Sequence, residues 1–571
     1  MTVQCMTITT NRRGFVAGLT AAAFTPQVAW ARKSGRYDVI VRGGTVFDGL
    51  GNPGREADLA IAGDRIAAIG QLGRARGALE IDARGQAVAP GFVNMLSWSN
   101  ESLIEDGRSQ GDIRQGVTLE VMGEGTSMGP LNAEMKARAL HEQGDIHYPV
   151  TWTSLGDYLG FLERKGISCN VASFIGAGTL RVHEVGYDDV RATPEQLHRM
   201  QDLVRAEMRG GALGIGSSLI YAPDNFANTD ELVALTSAAA EFGGGYISHM
   251  RSEGDRYLEA IDELLEIGRR AKARVQIYHM KPGGQANWSK ADAGLAKLNA
   301  ARASGIDVSA NVYTYTAGAT GLDAAMPLWV QQGGRDKWIE RLKDPAIRAR
   351  VLGEMRGPAV GWENLAQAAG TPDNILLIGF NNPALKPLTG KTLAQVAKMR
   401  GTSPEDTIID LVVEDGSRVD TAYFLMSEDN LKKNIAWPWT MLGSDSASMA
   451  PEGRFLLKST HPRAYGNFAR FLGKYVRDEK VISLAEGIRR LTSLPIKQLG
   501  LTGRGRLAAN YLADVVVFDP AKITDHATFD KPHQYATGVS EVLVGGQAVL
   551  RSGAHTGAKA GRFVKGPGWR G

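Results

Sequence analysis

The hydrophobic and polar positions between residues 244 and 281 predict a strand, a helix and a second strand. One apolar run, Tyr246-Ile247-Ser248, ends at His249, and a second, at residues 275–278, ends at His279. From Tyr257 onward, the apolar side chains between the two runs recur with helical spacing. Two strands joined by one helix are parallel neighbours, so both histidines are expected at the carboxyl edge of one sheet. Two imidazoles that converge there favour a metal site over two separately packed histidines.

Eight apolar runs, most of them separated by helical patterns, cross the middle of the chain. Strands that alternate with helices form parallel sheets, and eight of them predict an α/β fold with a TIM-like (β/α)8 barrel over residues 91–502. About 120 residues separate the seventh run from the eighth, which predicts an insertion over the barrel mouth at about 322–435. The predicted strands are residues 91–97, 117–123, 170–176, 211–218, 244–249, 274–279, 306–313 and 440–446.

Short alternating strands with tight turns occupy both ends of the chain. Residues 36–90 contain one set, and residues 503–568 contain a matching set that includes the runs 513–518 and 542–546. We expect the two ends to form one small β-sandwich domain beside the barrel.

The composition excludes several classes of protein. The chain has 571 residues, of which 43% are hydrophobic and 22% charged, and its net charge is only +4. No basic run indicates a nucleic-acid partner, and no apolar stretch is long enough for stable membrane insertion. The only cysteines are Cys5 and Cys169.

The first 31 residues have the pattern of a twin-arginine export signal. Paired arginines, Arg12 and Arg13, precede a mildly apolar run at residues 16–24 and a small-residue end at Ala31. We therefore expect a periplasmic protein that is cut after Ala31, which would remove Cys5 and leave no internal disulfide. The alternative is a frayed, basic N-terminus of a cytosolic protein.

With the predicted barrel and its two strand-end histidines, the chain resembles the D-aminoacylase (N-acyl-D-amino-acid deacylase) family of the amidohydrolase superfamily. The resemblance covers nearly all of the chain after residue 31, and its landmarks occur in order at matching spacings. They are Ala89-Pro90-Gly91-Phe92-Val93, Gln115-Gly116-Val117-Thr118, His249-Met250-Arg251-Ser252-Glu253-Gly254-Asp255, Tyr278-His279-Met280-Lys281, Gly443-Ser444-Asp445 and His461-Pro462-Arg463.

The chain departs from this family at its metal ligands. Leu96 and Trp98 stand where members of the family carry a His-x-His pair after strand 1. Gly125 stands where they carry a cysteine after strand 2, and Ala177 stands where they often carry a histidine. The resemblance therefore implies the loss of the weaker of the family's two metal sites.

The resemblance also implies that part of the tighter metal site is kept. His249 and His279 match two of its ligands, and Glu124, beside Gly125, is the candidate that replaces the cysteine. Two imidazoles, a carboxylate and an open position form a catalytic zinc arrangement, so one Zn²⁺ per chain is expected. The alternative for Glu124 is a turn carboxylate between two glycines.

The remaining site residues are carried over from the family motifs. Asp445, after strand 8, is the candidate general base, and Tyr221 is the candidate hydroxyl donor to the oxyanion. Lys281, Tyr315 and Arg463 match residues that bind the substrate's α-carboxylate in related deacylases. The resemblance thus implies hydrolysis of a linear amide in a small molecule with a carboxylate, namely an N-acyl-D-amino acid.

Two rival functions stay open at this point. One is another amidohydrolase, a dipeptidase or a cyclic-amide hydrolase; many cyclic-amide hydrolases use a carboxylated lysine on strand 4, and residues 211–218 contain no lysine. The other is a non-catalytic binding protein on the same scaffold, because lost ligands are also what decay of activity produces.

Overall fold

The structure, a computed structural model, describes residues 36–570. The predicted export signal at residues 1–31 lies outside this part of the chain. Among the described residues, no helix combines the length and the hydrophobicity needed to cross a lipid bilayer.

The first five strands form one part of a mixed sheet. Strand β1 pairs antiparallel with β2 and parallel with β4 and β5, and β3 pairs antiparallel with β2. Alternate side chains such as Val39 and Val41 are buried, as the period of two in the sequence predicts. These strands are β1 (Arg36–Val46), β2 (Arg55–Ala62), β3 (Arg65–Gly70), β4 (Arg76–Asp82) and β5 (Ala87–Pro90).

The central part of the chain alternates parallel strands with helices. Strands β6, β7 and β8 form one parallel sheet, and β9 to β13 follow one another in a second parallel sheet. The strands are β6 (Phe92–Asn94), β7 (Val117–Met122), β8 (Asn170–Ser173), β9 (Ile175–Gly176), β10 (Gly214–Ser218), β11 (Gly245–His249), β12 (Val275–Ile277) and β13 (Val308–Val312). The helices are α1 (Ser102–Glu105), α2 (Gln110–Ile113), α3 (Ala133–His141), α4 (Leu155–Lys165), α5 (Ala177–Glu184), α6 (Pro194–Gly210), α7 (Thr229–Ala240), α8 (Tyr257–Ala271) and α9 (Ala291–Ala303).

A separate antiparallel sheet lies where the insertion is predicted. Strand β16 pairs with both β14 and β15, and side chains such as Trp338, Leu377 and Tyr423 form a buried core of their own. The strands are β14 (Gly318–Gly321), β15 (Ile375–Gly379) and β16 (Asp420–Tyr423). The helices are α10 (Arg335–Leu342), α11 (Pro345–Arg356), α12 (Leu365–Ala368), α13 (Leu393–Arg400), α14 (Pro404–Asp415) and α15 (Glu428–Ala436).

After the insertion the chain returns to the parallel sheet. Strand β17 (Thr440–Leu442) pairs with β13, and the Met95 amide beyond β6 donates to the Leu442 carbonyl at 3.0 Å. At the other junction, the Phe174 amide between β8 and β9 donates to the Met122 carbonyl at 2.9 Å. These parallel sheets are compatible with the predicted barrel. Helices α16 (Arg463–Arg470), α17 (Leu484–Leu491) and α18 (Ser493–Gln498) follow.

The last strands join the first ones in the mixed sheet. Strand β18 pairs antiparallel with β5, so strands from both ends of the chain belong to a single nine-stranded sheet. The prediction of a common β unit agrees with this pairing, whereas its description as a sandwich stays a prediction. The strands are β18 (Val515–Phe518), β19 (Val539–Val544), β20 (Gln547–Arg551) and β21 (Ala554–His555).

Candidate metal centre

Three strand ends place a carboxylate and two imidazoles side by side. His249 is the last residue of β11, His279 follows β12 by two residues, and Glu124 follows β7 by two residues. Strands β11 and β12 are parallel neighbours in register, so their ends meet as the sequence pattern predicts. All three side chains are buried.

The ligand atoms of these three side chains lie close enough to share one ion. Glu124 Oε1 is 3.0 Å from His279 Nε2 and 3.3 Å from His249 Nδ1, and the two imidazole rings are 4.4 Å apart. One potential ligand atom from each residue lies within 4.8 Å of the other two. Among residues 36–570, this trio is the one group of three or more histidine, cysteine or acidic residues whose ligand atoms all lie within 4.8 Å of one another.

A second carboxylate, Glu253, contacts His279, and sequence reasoning missed it. Its Oε1 atom is 3.0 Å from His279 Nδ1 and accepts a 2.7 Å hydrogen bond from Lys281 Nζ. A hydrogen bond at Nδ1 fixes the tautomer that turns the Nε2 lone pair towards a metal. Glu253 is the fourth residue after His249 in the loop that follows β11, and this short spacing was the available signal.

The charges at the site favour an ionised Glu124. Burial on its own raises the pKa of this carboxyl, but the facing His279 and His249 rings outweigh burial and lower the pKa to about 2. For His279, burial and Lys281 lower the pKa, whereas Glu253 and Glu124 raise it, with a result of about 9. Burial also lowers the pKa of His249. The carboxylate is therefore charged at neutral pH, as a metal ligand must be.

The trio fits a zinc ion. Glu124 Oε1 lies within 3.3 Å of one nitrogen of each imidazole, so a single ion can contact an atom of all three residues. Two imidazole nitrogens and one carboxylate oxygen form a donor set that zinc accepts at catalytic sites. The residues present therefore suit the group that the fold implies.

Asp445, which follows β17 by three residues, lines the same cavity as the histidines. Its Oδ1 accepts a 3.0 Å hydrogen bond from the indole N–H of Trp98, and its Oδ2 lies 2.9 Å from Arg463 Nη1. The same indole N–H is 3.1 Å from Glu124 Oε2. Burial raises the pKa of Asp445, against the opposing effect of Arg463.

The backbone is strained at two of these residues. His279 has φ of 33° and Asp445 has φ of 49°, both in the left-handed region that non-glycine residues rarely adopt. A hydrogen bond from the residue's own amide holds each conformation. His279 N–H donates to Asn311 Oδ1 at 2.8 Å, and Asp445 N–H donates to the Leu96 carbonyl at 2.9 Å. Strain that the surroundings enforce in this way is concentrated at functional sites.

A cavity of about 490 Å³ gives access to this cluster. Tyr221 lines it, with its ring 5.3 Å from the His249 ring, and so do Lys281, Tyr313 and Arg463. The Tyr313 ring lies under both cations, 5.6 Å from Lys281 Nζ and 4.5 Å from the Arg463 guanidinium, and its buried hydroxyl has no partner.

Comparison with known proteins identifies the family. A family model described as the amidohydrolase family matches residues 79–550. The chain belongs to the amidohydrolase family. The D-aminoacylase of Alcaligenes xylosoxydans xylosoxydans is 33% identical over 532 residues, which are 92% of this chain and 97% of that protein. The N-acyl-D-glutamate deacylase of the same organism is 32% identical over 517 residues, which are 90% of this chain and 94% of that protein.

A solved structure extends the likeness to three dimensions. The N-acyl-D-glutamate deacylase of Bordetella bronchiseptica, complexed with zinc and a phosphonate inhibitor that mimics the tetrahedral intermediate, has a TM-score of 0.77 and 29% identity. The match covers 93% of this chain and 100% of that one. Within the amidohydrolases, these relatives confirm the predicted D-aminoacylase branch and a TIM-barrel-like metallohydrolase fold.

The structure accounts for the departures of this amidohydrolase from the expected motifs. Leu96 is buried among apolar side chains, whereas Trp98 reaches the cavity. At Gly125, with φ of 65°, a Cβ atom would lie 2.5 Å from Ser218 Cβ, so a cysteine does not fit there without a shift. Ala177 is buried at the first position of α5.

The structure brings seven of the eight predicted site residues to one cavity and leaves Tyr315 outside it. The seven are Glu124, Tyr221, His249, His279, Lys281, Asp445 and Arg463. Tyr315 donates its hydroxyl to Asp525 Oδ2 at 3.1 Å, and the Arg470 guanidinium lies 4.9 Å from its ring. The role of Tyr315 in substrate binding stays a prediction. Of the two tyrosines that follow strand β13, Tyr313 is the one that lines the cavity.

Proposed function

We propose that this amidohydrolase is a metal-dependent enzyme that cleaves the linear amide bond of N-acyl-D-amino acids. The observation that carries the proposal is the convergence of Glu124, His249 and His279 at one end of a cavity that also contains Asp445. The relatives named above, a D-aminoacylase and two N-acyl-D-glutamate deacylases, support the substrate class.

One zinc ion held by Glu124, His249 and His279 is the proposed cofactor. When bound, such an ion acts as a Lewis acid that makes water a nucleophile near neutral pH and polarises the scissile carbonyl. Glu253 keeps His279 in the ligating tautomer through the 3.0 Å contact at Nδ1.

Asp445 is the proposed general base. Its raised pKa brings the carboxyl closer to the working range of an acid–base catalyst than that of the strongly acidic Glu124. The carboxylate accepts a proton from the attacking water and returns it to the amine nitrogen that leaves. Arg463 and Trp98 hold its two oxygens, so the group keeps one orientation throughout.

Tyr221 is the proposed hydroxyl donor to the developing oxyanion. Burial raises the pKa of its phenol, which therefore keeps its proton at neutral pH. A neutral hydroxyl in a buried wall can donate a hydrogen bond to negative charge that develops on the carbonyl oxygen.

Three further residues of the cavity lining are proposed to hold the substrate's α-carboxylate. Lys281 and Arg463 supply positive charge near the Tyr313 ring, with Nζ 5.6 Å and the guanidinium 4.5 Å from its centre. The unpartnered Tyr313 hydroxyl is a further donor beside them. Arginine binds a carboxylate through two parallel hydrogen bonds, which suits this small anionic group.

The proposal includes four features of the whole chain. The parallel strands close into a barrel over residues 91–502, strands of both chain ends form a β-sandwich, and the insertion at about 322–435 covers the barrel mouth. The signal-like residues 1–31 support export to the periplasm by the twin-arginine route.

The experiment that tests the function combines metal content with hydrolysis. We expect about one zinc per chain by mass spectrometry, loss of that zinc in Glu124→Ala, and cleavage of N-acetyl-D-amino acids in preference to their L enantiomers. Glu259→Ala, which removes an exposed glutamate of α8, is the control. Absence of zinc from the wild-type protein, or unchanged zinc in Glu124→Ala, would contradict the proposal.

A further inference from the structure

The indole of Trp98 lies between the two carboxylates on which the proposed function depends. Its single N–H is 3.1 Å from Glu124 Oε2 and 3.0 Å from Asp445 Oδ1. Each carboxylate uses its other oxygen elsewhere, because Glu124 Oε1 faces the two histidines and Asp445 Oδ2 faces Arg463. The N–H is thus shared by the metal ligand and the base.

The backbone dictates this position. The Ser97 amide donates to the Val121 carbonyl of β7 at 2.8 Å, and the Trp98 amide donates to the Ser446 carbonyl at 3.1 Å. The residue is therefore pinned between the strand that leads to Glu124 and the segment that contains Asp445.

Two buried carboxylates that face each other repel, and something positive must lie between them. A shared proton, a bridging cation or a hydrogen-bond donor can fill this role. An indole N–H is a donor only and does not ionise in the working pH range, so it can serve one oxygen of each carboxylate at the same time. The indole nitrogen, within 3.1 Å of one oxygen of each carboxylate, also occupies the place from which a cation would touch both.

We propose that Trp98 is a positioning residue that fixes Glu124 and Asp445 relative to each other and restricts the centre to one metal ion. This inference rests on the proposed function, because it takes Glu124 as a ligand and Asp445 as the base. The inference goes beyond the proposed function because it attributes the binding of a single metal ion to one side chain, that of Trp98.

Zinc titration of three proteins tests the exclusion of a second ion. We expect the wild type and Trp98→Phe, which keeps a ring, to bind one zinc per chain even in hundredfold excess of the metal. Trp98→Ala is expected to admit a second, weaker zinc, because both carboxylate oxygens become free. A second zinc in the wild type, or a single zinc in Trp98→Ala, would overturn the exclusion.

Kinetics and fluorescence test the positioning role. In Trp98→Phe the loss of a hydrogen bond to charged groups should lower kcat about 10- to 100-fold while KM changes less than twofold. The tryptophan emission of the wild type should change on zinc binding, and this change should disappear in Trp98→Phe. Trp437→Phe is the matched control, because its indole donates to Asn299 at 2.8 Å, and it should keep both the rate and the signal.

The two proposals fail in different ways. Unaltered kcat in Trp98→Phe, or a zinc-dependent emission change that persists there, would overturn the role of Trp98 and leave the proposed function standing. If the wild type binds one zinc but cleaves no N-acyl-amino acid, the substrate class is wrong, and the titration and fluorescence still decide the role of Trp98.

Trp98 is 36% exposed at the cavity wall, so its replacement leaves the hydrophobic core intact.

Discussion

Glu124 and Asp445 are buried carboxylates that share one hydrogen-bond donor, yet their surroundings differ in kind. Glu124 faces two imidazoles, and the result is a pKa of about 2. Asp445 faces one guanidinium, and burial prevails there, so its pKa lies above the ordinary value. The same functional group is thus strongly acidic on one side of Trp98 and more readily protonated on the other, where it is the proposed general base.

This contrast indicates how one cavity separates two tasks. A metal ligand must stay ionised, whereas a general base must take up and release a proton. Environments that push the pKa values of two neighbouring carboxyls apart mark the acid–base assignments of an active site. The following predictions act either on Asp445 itself or on residues beside the proposed metal ligands, and never on both at once.

The largest effect is expected for Asp445→Asn. The amide keeps the shape of the side chain but cannot accept the proton, so kcat should fall about 1000-fold, within the range for loss of a general base. Zinc content should stay at the wild-type level, because the three proposed ligands are unchanged. Steady-state kinetics and mass spectrometry on the same sample measure both quantities.

A loss of zinc together with activity in Asp445→Asn would mean that Asp445 is itself a ligand. A rate within a few fold of the wild type would remove it from the mechanism. Asp292→Asn is the control, because this aspartate of α9 pairs with Lys433 on the surface.

A smaller effect is expected for Glu253→Gln on the other side of the pair. The substitution weakens the contact that fixes the tautomer of His279, and such supporting contacts contribute about 10- to 100-fold to metal affinity. Competition with a chelator should show this loss of zinc affinity, while kcat at saturating zinc changes less. Unchanged affinity would show that the ligating tautomer of His279 does not depend on Glu253.

The smallest effect concerns the position of the missing cysteine. Gly125→Cys should destabilise the fold by about 1–3 kcal/mol, because the new Cβ meets Ser218 Cβ at 2.5 Å and the residue has positive φ. Thermal unfolding measures the loss. Adding Ser218→Gly should restore part of the stability, and failure to do so would mean that the backbone conformation, and not the contact, excludes the cysteine.

The strand pattern predicted the two histidines of the site, because register decides where strand ends lie. His249 and His279 were expected at the carboxyl edge from local sequence alone, whereas Asp445 was carried over from the family motif, and all three line the cavity. Glu124 required the family motif as well, since a glycine-flanked carboxylate resembles an ordinary turn. Glu253 was missed because nothing local shows that a loop residue turns back towards the histidines.

Tyr315 shows that a motif match does not determine which of two nearby side chains faces the cavity. The end of β13 carries tyrosines at positions 313 and 315, and residues two apart on a strand point to the same face only while the strand stays regular. Here β13 ends at Val312, and beyond it the two side chains diverge, one towards the cavity and the other towards Asp525. A motif match cannot resolve which of the two faces the substrate.

By itself, the sequence determined the alternation of strands and helices, the strand ends that carry the chemistry, and the absence of the usual histidine pair and cysteine. These features depend on side-chain spacing and residue type, which are local. Only the tertiary structure decided that one indole N–H bridges Glu124 and Asp445 and that Glu253 supports His279. It also decided that the pKa values of Glu124 and Asp445 shift in opposite directions. Those properties depend on distances between segments far apart in the chain, which no local pattern encodes.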